Sequence, residues 1–99
     1  MRTSRTSAIV EVSRWRAARR VVLTPAADDR WKVTVEKLET SYDGHRTDRW
    51  WTIDATVDAS AKLSDALELG NAALEVLREQ GWDVPAQRFG ATAFTVDVT

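Results

Sequence analysis

The sequence has no cysteine. That excludes a disulfide frame, a zinc–thiolate centre and a thiol nucleophile. Long apolar runs are missing as well. None approaches the roughly 20 residues that cross a bilayer as a helix. The opening "MRTSRTSAIVEVSRWR" has too short and interrupted an apolar stretch for a signal peptide. The expectation is a cytoplasmic protein with no membrane partner. Histidine occurs once, as His45 beside Asp43 and Gly44. One histidine in a polar loop makes neither a metal site nor a Ser-His-Asp arrangement, so no metal and no cofactor are expected. The four glycines are isolated and none opens a helix, which excludes a phosphate-cradling loop. Asp54 and Asp58 lie four apart on one strand and read as solvent-facing charges rather than an acid–base pair. The chain is therefore read as not an enzyme.

What is present begins with 99 residues, 43% of them hydrophobic, enough for one small domain spanning 1–99. Residues 1–6 read as a loose tail. Charge is uneven along the chain. Up to residue 30 there are seven arginines against Glu11, Asp28 and Asp29; after it, seven bases face twelve acids. A basic arm on an acidic body suits a phosphate- or carboxylate-bearing partner, and equally an internal pairing of the two halves. Arginine outnumbers lysine eleven to three, a bias that also fits a bacterial or phage genome.

Hydrophobic spacing predicts the elements. Residues 7–13 alternate, with Ala8, Val10 and Val12 on one side. Residues 14–25 fit two patterns. One is a helix with Trp15, Ala18 and Val22 on one face. The other, which the β-branched Val21 and Val22 favour, is a turn near 13–17 and a strand from about 18–24. A loop at 25–29 follows. Residues 30–38 put Trp31, Val33 and Val35 on one face. A polar connection, 39–48, holds Asp43-Gly44, a pair suited to tight turns. In the strand 49–57, parity places Trp51, Ile53, Ala55 and Val57 toward a core, and Trp50, Thr52, Asp54 and Thr56 away from it. From 63 to 80 the period becomes helical through Leu63, Ala66, Leu67, Gly70, Ala73, Leu74 and Leu77. Ser60 or Ser64 is the expected N-cap and Gly81 the residue that ends the helix, with Trp82 folding back. After a loop, 92–98 closes the chain as a strand with Phe94, Val96 and Val98 inward. The order β-β-β-β-α-β predicts an α+β fold. It has an antiparallel sheet of about four to five strands and one amphipathic helix on one face.

Arginine and tryptophan interleave. "SRWRAARR" sets Trp15 among Arg14, Arg16, Arg19 and Arg20, and "DRWW" ends in Trp50 and Trp51. Arginine neutralises phosphate and an exposed indole stacks on bases. Arg14, Trp15, Arg16, Arg19, Arg20 and Trp50 are the candidate partner- or nucleic-acid-binding residues.

The stretch "RWWTIDATVDASAKLSDALELGNAALEVL", followed by "REQGWDVP", resembles the HicB-like antitoxin family over the C-terminal two-thirds of the chain. The resemblance rests on a hairpin whose second strand carries consecutive aromatics, a following amphipathic helix, a Gly-x-x-x-Pro exit and a last strand. It implies a non-catalytic regulator that neutralises a toxin by binding it. The DNA-binding segment that many members carry after the last strand is not expected here. Two further readings are a nucleic-acid-binding module using the basic segment and a phage-encoded accessory or anti-defence protein. A homodimer, through an edge strand or the Trp50 face, is expected under each.

Overall fold

The computed structural model describes residues 6–90 and 96–98, the last three by backbone alone. Four strands form an antiparallel meander in the order β1-β2-β3-β4: β1 Ala8–Arg14, β2 Ala17–Pro25, β3 Trp31–Tyr42 and β4 Thr47–Ala61. The helix α1, Leu63–Glu79, lies on one face, and a small ribbon of β5, Gln87–Phe89, and β6, Val96–Val98, stands apart from the sheet. The fold is α+β. The expected strand at 92–98 is described only as β6; residues 92–95, Phe94 among them, lie outside the described residues, as do 1–5 of the expected tail.

The core follows the alternation of the first three strands. Ala8, Val10 and Val12 of β1 pair across to Leu23, Val21 and Arg19 of β2. Opposed residues share a face, so these side chains meet α1 together with Trp31 and Val33 of β3. The helix supplies Ala66, Leu74 and Leu77, and Trp82 and Phe89 close the end. At Gly70 the helix comes closest to its neighbours. A Cβ there would stand 2.8 Å from Phe89 Cδ2 and 2.9 Å from Leu23 Cδ1.

The helix ends as its sequence predicts. Gly81 has φ +93°. The Gly81 N–H donates to the Arg78 carbonyl and the Trp82 N–H to the Leu77 carbonyl, both at 3.0 Å. This reciprocal pair is the Schellman arrangement, and it turns Trp82 back under the helix. The start differs from expectation. Lys62 is the N-cap and no side chain caps it. Ser60 is still within β4 and Ser64 is already in the first turn, so neither is placed to cap.

The strand β4 departs most from its sequence reading. Its register on β3 slips between Trp31 and Val33, between Val33 and Thr34, and between Val35 and Glu36. Each slip leaves an extra β4 residue, a β-bulge, and each bulge reverses the parity beyond it. Ala55 opposes Val35 on the helix side, whereas Ile53 opposes Glu36 and Trp51 opposes Leu38 on the other side. Trp51 and Ile53 therefore leave the expected core face. Ile53 is 53% exposed, and Trp51 lies beneath the Arg20 guanidinium, 4.3 Å from its ring centroid. Trp50 opposes Glu39, on the helix side but in the outer ribbon beyond the core, and is 46% exposed.

The connection expected at 39–48 is mostly strand. Pairing runs out to Tyr42 and Thr47, and only 43–46 form the loop. There Asp43 Oδ1 accepts from the His45 and Arg46 N–H groups, at 2.9 and 3.0 Å. Likewise the loop expected between the helix and residue 92 contains a strand, β5. Asn71 Oδ1 accepts from the Phe89 N–H at 2.9 Å and Asn71 Nδ2 donates to the Phe89 carbonyl at 3.2 Å, fixing β5 against α1.

Candidate functional site

A helix is about 10 Å across and strands lie about 4.8 Å apart, so one helix cannot cover four strands. Here α1 sits over β2 and β3, and β4 is an edge of the sheet. The uncovered strip between α1 and β4 is an open groove of about 590 Å³. Its helix wall is Leu69, Ala72, Ala73 and Val76; its sheet wall is Val35, Ala55 and Val57. Val76 is 50% exposed and Val57 41%. Both are apolar groups that the fold leaves facing solvent beside one another's wall. The bulges create this wall: they bring both Asp54 and Ala55, and both Val57 and Asp58, toward the helix side.

One end of the groove is basic. Arg14 and Arg19 both lie against the Trp82 indole, at 4.6 and 5.2 Å from its centroid. Cation–π contact of this kind holds a guanidinium over a ring while its N–H groups remain usable. Arg14 also donates to the Gln80 carbonyl at 3.0 Å. Arg19 Nε stands 3.8 Å from Asp54 Oδ2. Among the described residues, no carboxylate pairs with Arg14.

The six sequence candidates do not form one surface. Arg14 and Arg19 meet at the end of the groove. Arg20 is on the opposite face of the sheet, where its Nε lies 2.6 Å from Glu36 Oε1 and its guanidinium covers Trp51. The pairings of Arg19 with Asp54 and Arg20 with Glu36 join the basic segment to the acidic body, one of the two uses its charge suggested. Trp15 and Arg16 form the two-residue turn of the β1–β2 hairpin. Trp15 is 99% exposed there and has φ +56°, a left-handed conformation that a bulky side chain rarely adopts. Trp50 stands alone on the outer ribbon.

Sequence reasoning missed Val76, Ala72 and Leu69 as a surface, and placed Trp82 only as a helix-end residue. The signal for the first three was present: spacings of three and four mark a second apolar stripe beside the core stripe. Asp54, read as solvent-facing, is exposed, and its carboxylate also stands beside Arg19 at the basic end of the groove.

Among the described residues no group of acidic or histidine side chains is arranged to hold a metal ion, and no helix is long and apolar enough to cross a membrane. Compared with protein-family models, curated proteins and solved structures, the chain matches none of them.

Proposed function

We propose that this chain is a non-catalytic protein-binding regulator of inhibitor or antitoxin type, acting in the cytoplasm, and that it docks its partner in the groove between α1 and β4. The observation that carries this reading is the groove itself. Apolar side chains form most of its walls, and a basic cluster stands at one end. The sequence resemblance to HicB-like antitoxins, which neutralise a toxin by binding it, points the same way.

The test is co-expression with the product of the adjacent reading frame. Co-purification and relief of that product's toxicity are expected, and Val76→Glu is expected to abolish both while the chain stays folded. A wild-type chain that remains alone and gives no relief refutes the reading. Self-association through the edge of β4, which pairs only with β3 among the described residues, is the alternative use of this side of the sheet. Sedimentation at micromolar concentration, with and without the partner, distinguishes the two.

A second reading has its own observation. Trp15, fully exposed on a hairpin tip beside Arg16, has the form of a stacking platform for a nucleic-acid base. It predicts oligonucleotide binding that quenches tryptophan fluorescence and weakens steeply with salt. An unchanged signal at low salt removes it.

A further inference from the structure

The chemistry of the groove's occupant follows from three features of its walls. This inference rests on the protein-docking reading and goes further, to the kind of segment that docks. The first feature is width. With α1 over β2 and β3, the strip over β4 is only about 5 Å wide but open on its outer side, so a second helix about 10 Å across can seat one flank there and extend past the sheet edge. The second is the α1 wall. Leu69, Ala72, Ala73 and Val76 recur at three- and four-residue spacing, the ridge along which one helix packs on another. The two alanines at its centre allow close approach, near the short end of the usual ~8–10 Å axis separation. The third is the state of the β4 edge. Strand addition needs a regular ladder, and β4 is bulged at the residues beside the groove, with slips against Val33–Thr34 and Val35–Glu36. Bulges of this kind blunt an edge against an added strand. The regular part of β4, toward Trp50, lies away from the groove.

The basic end adds polarity. Two guanidiniums are gathered on one indole, and among the described residues Asp54, 3.8 Å from Arg19, is the one carboxylate paired with either. An incoming carboxylate there would meet two forked donors already held in place.

We propose that the groove binds an amphipathic α-helix of a partner protein, lying beside α1 with its apolar stripe on Leu69, Ala73 and Val76 and with an acidic end on Arg14 and Arg19. The partner is identified by that pattern: apolar residues at i, i+3, i+4 and i+7, ending in glutamate or aspartate.

Three synthetic peptides of about 16 residues, roughly four helical turns, test this on the full-length ¹⁵N-labelled chain. One has a leucine stripe and ends in two glutamates. The second replaces those glutamates by lysines. The third ends in glutamates but alternates valine and threonine as a strand former. The acidic helical peptide is expected to shift amides at 54–58 and 69–76, and to bind about tenfold more tightly than its lysine counterpart. Arg14→Glu is expected to reverse that preference, a result that mere loss of structure cannot give. Equal affinity for the two helical peptides, or preference for the strand peptide at the same residues, overturns the helix inference and leaves the groove reading standing. If no peptide shifts the groove, the helix inference fails. If Val76→Glu also retains the co-expressed partner, the docking reading fails with it.

Discussion

Replacing Trp15 by asparagine is expected to stabilise the protein. Trp15 has φ +56° in the turn joining β1 to β2 and is 99% exposed. For an L-residue with a Cβ, the left-handed conformation costs about 1–2 kcal/mol. Asparagine adopts it with least penalty among residues other than glycine. Removal of a fully exposed indole forfeits no packing. The expected gain for Trp15→Asn is therefore about 1 kcal/mol. In a domain of this size that raises Tm by about 4–8 °C, and it raises the urea midpoint with an unchanged slope. Glycine relieves the strain fully but enlarges the unfolded ensemble, which removes about 0.4–1 kcal/mol of the gain. Alanine is the control. It deletes the ring and keeps the Cβ, so its stability should remain near wild type. A denaturation series ordered Asn above Gly above Ala, with Ala close to Trp, is the expected result. If Trp15→Ala stabilises as much as Trp15→Asn, the cost lies in the exposed ring. If Trp15→Asn destabilises, the indole has a packing role and the reasoning is wrong.

Three more outcomes follow from the packing and the loops. Gly70→Ala gains about 1 kcal/mol of helix propensity but drives a Cβ against Phe89 and Leu23, where overpacking costs about 1–3 kcal/mol. A net loss of about 1 kcal/mol is expected by thermal unfolding, and a stabilised variant contradicts the close approach. Asn71→Ala removes both hydrogen bonds to Phe89 and is expected to cost about 1–3 kcal/mol, with loss of hydrogen-exchange protection at the Phe89 amide. Full protection there means that β5 is held by other contacts. Lowering the pH should loosen the 43–46 loop. The N–H groups of His45 and Arg46 hold the Asp43 carboxyl below its ordinary value of 3.8, so its folded value is below its unfolded one. Its contribution is complete above that ordinary value and is lost as pH falls below it, through the lowered folded value. Asp43→Asn should abolish the pH dependence of the His45 and Arg46 amide shifts; an unchanged profile assigns it to another group.

How much of this was legible in the sequence depended on how local each cause was. Alternation in β1 and in Trp31, Val33 and Val35 reports a property of each strand by itself, and the structure agrees. The helix and its Gly81 end are equally local. In β4, parity counted along the chain placed Trp51 with Ala55 and Val57, because a bulge exists only in relation to the partner strand. Short β5 escaped because a side chain of α1, Asn71, rather than its own pattern, holds it. The turn expected near 13–17 closes at Trp15–Arg16, but the left-handed backbone of Trp15 was hidden, because tryptophan is not a residue that turns favour. Arg19 and Arg20 are neighbours in sequence and therefore opposite in the sheet, which divided one apparent cluster between two faces. The groove is a difference between the width of a sheet and the width of a helix, and no window of residues contains it.

The meander has a consequence for how the chain assembles. Every pairing in the four-stranded sheet joins strands adjacent in sequence, so each hairpin closes over a short loop and none waits for a distant segment. By residue 61 the whole sheet has been synthesised, before any of α1. Contacts that span the chain, such as the paired hydrogen bonds between Ser13 and Asp83 at 3.2 and 2.7 Å, are expected to come late. Low loop-closure cost favours early formation of such local pairs. Pulsed hydrogen exchange during refolding should protect β2 and β3 first and the Ser13–Asp83 clasp last, and the reverse order would contradict this sequence of events. Until α1 docks, the nascent sheet presents to the surrounding solution the apolar face that the helix will later cover.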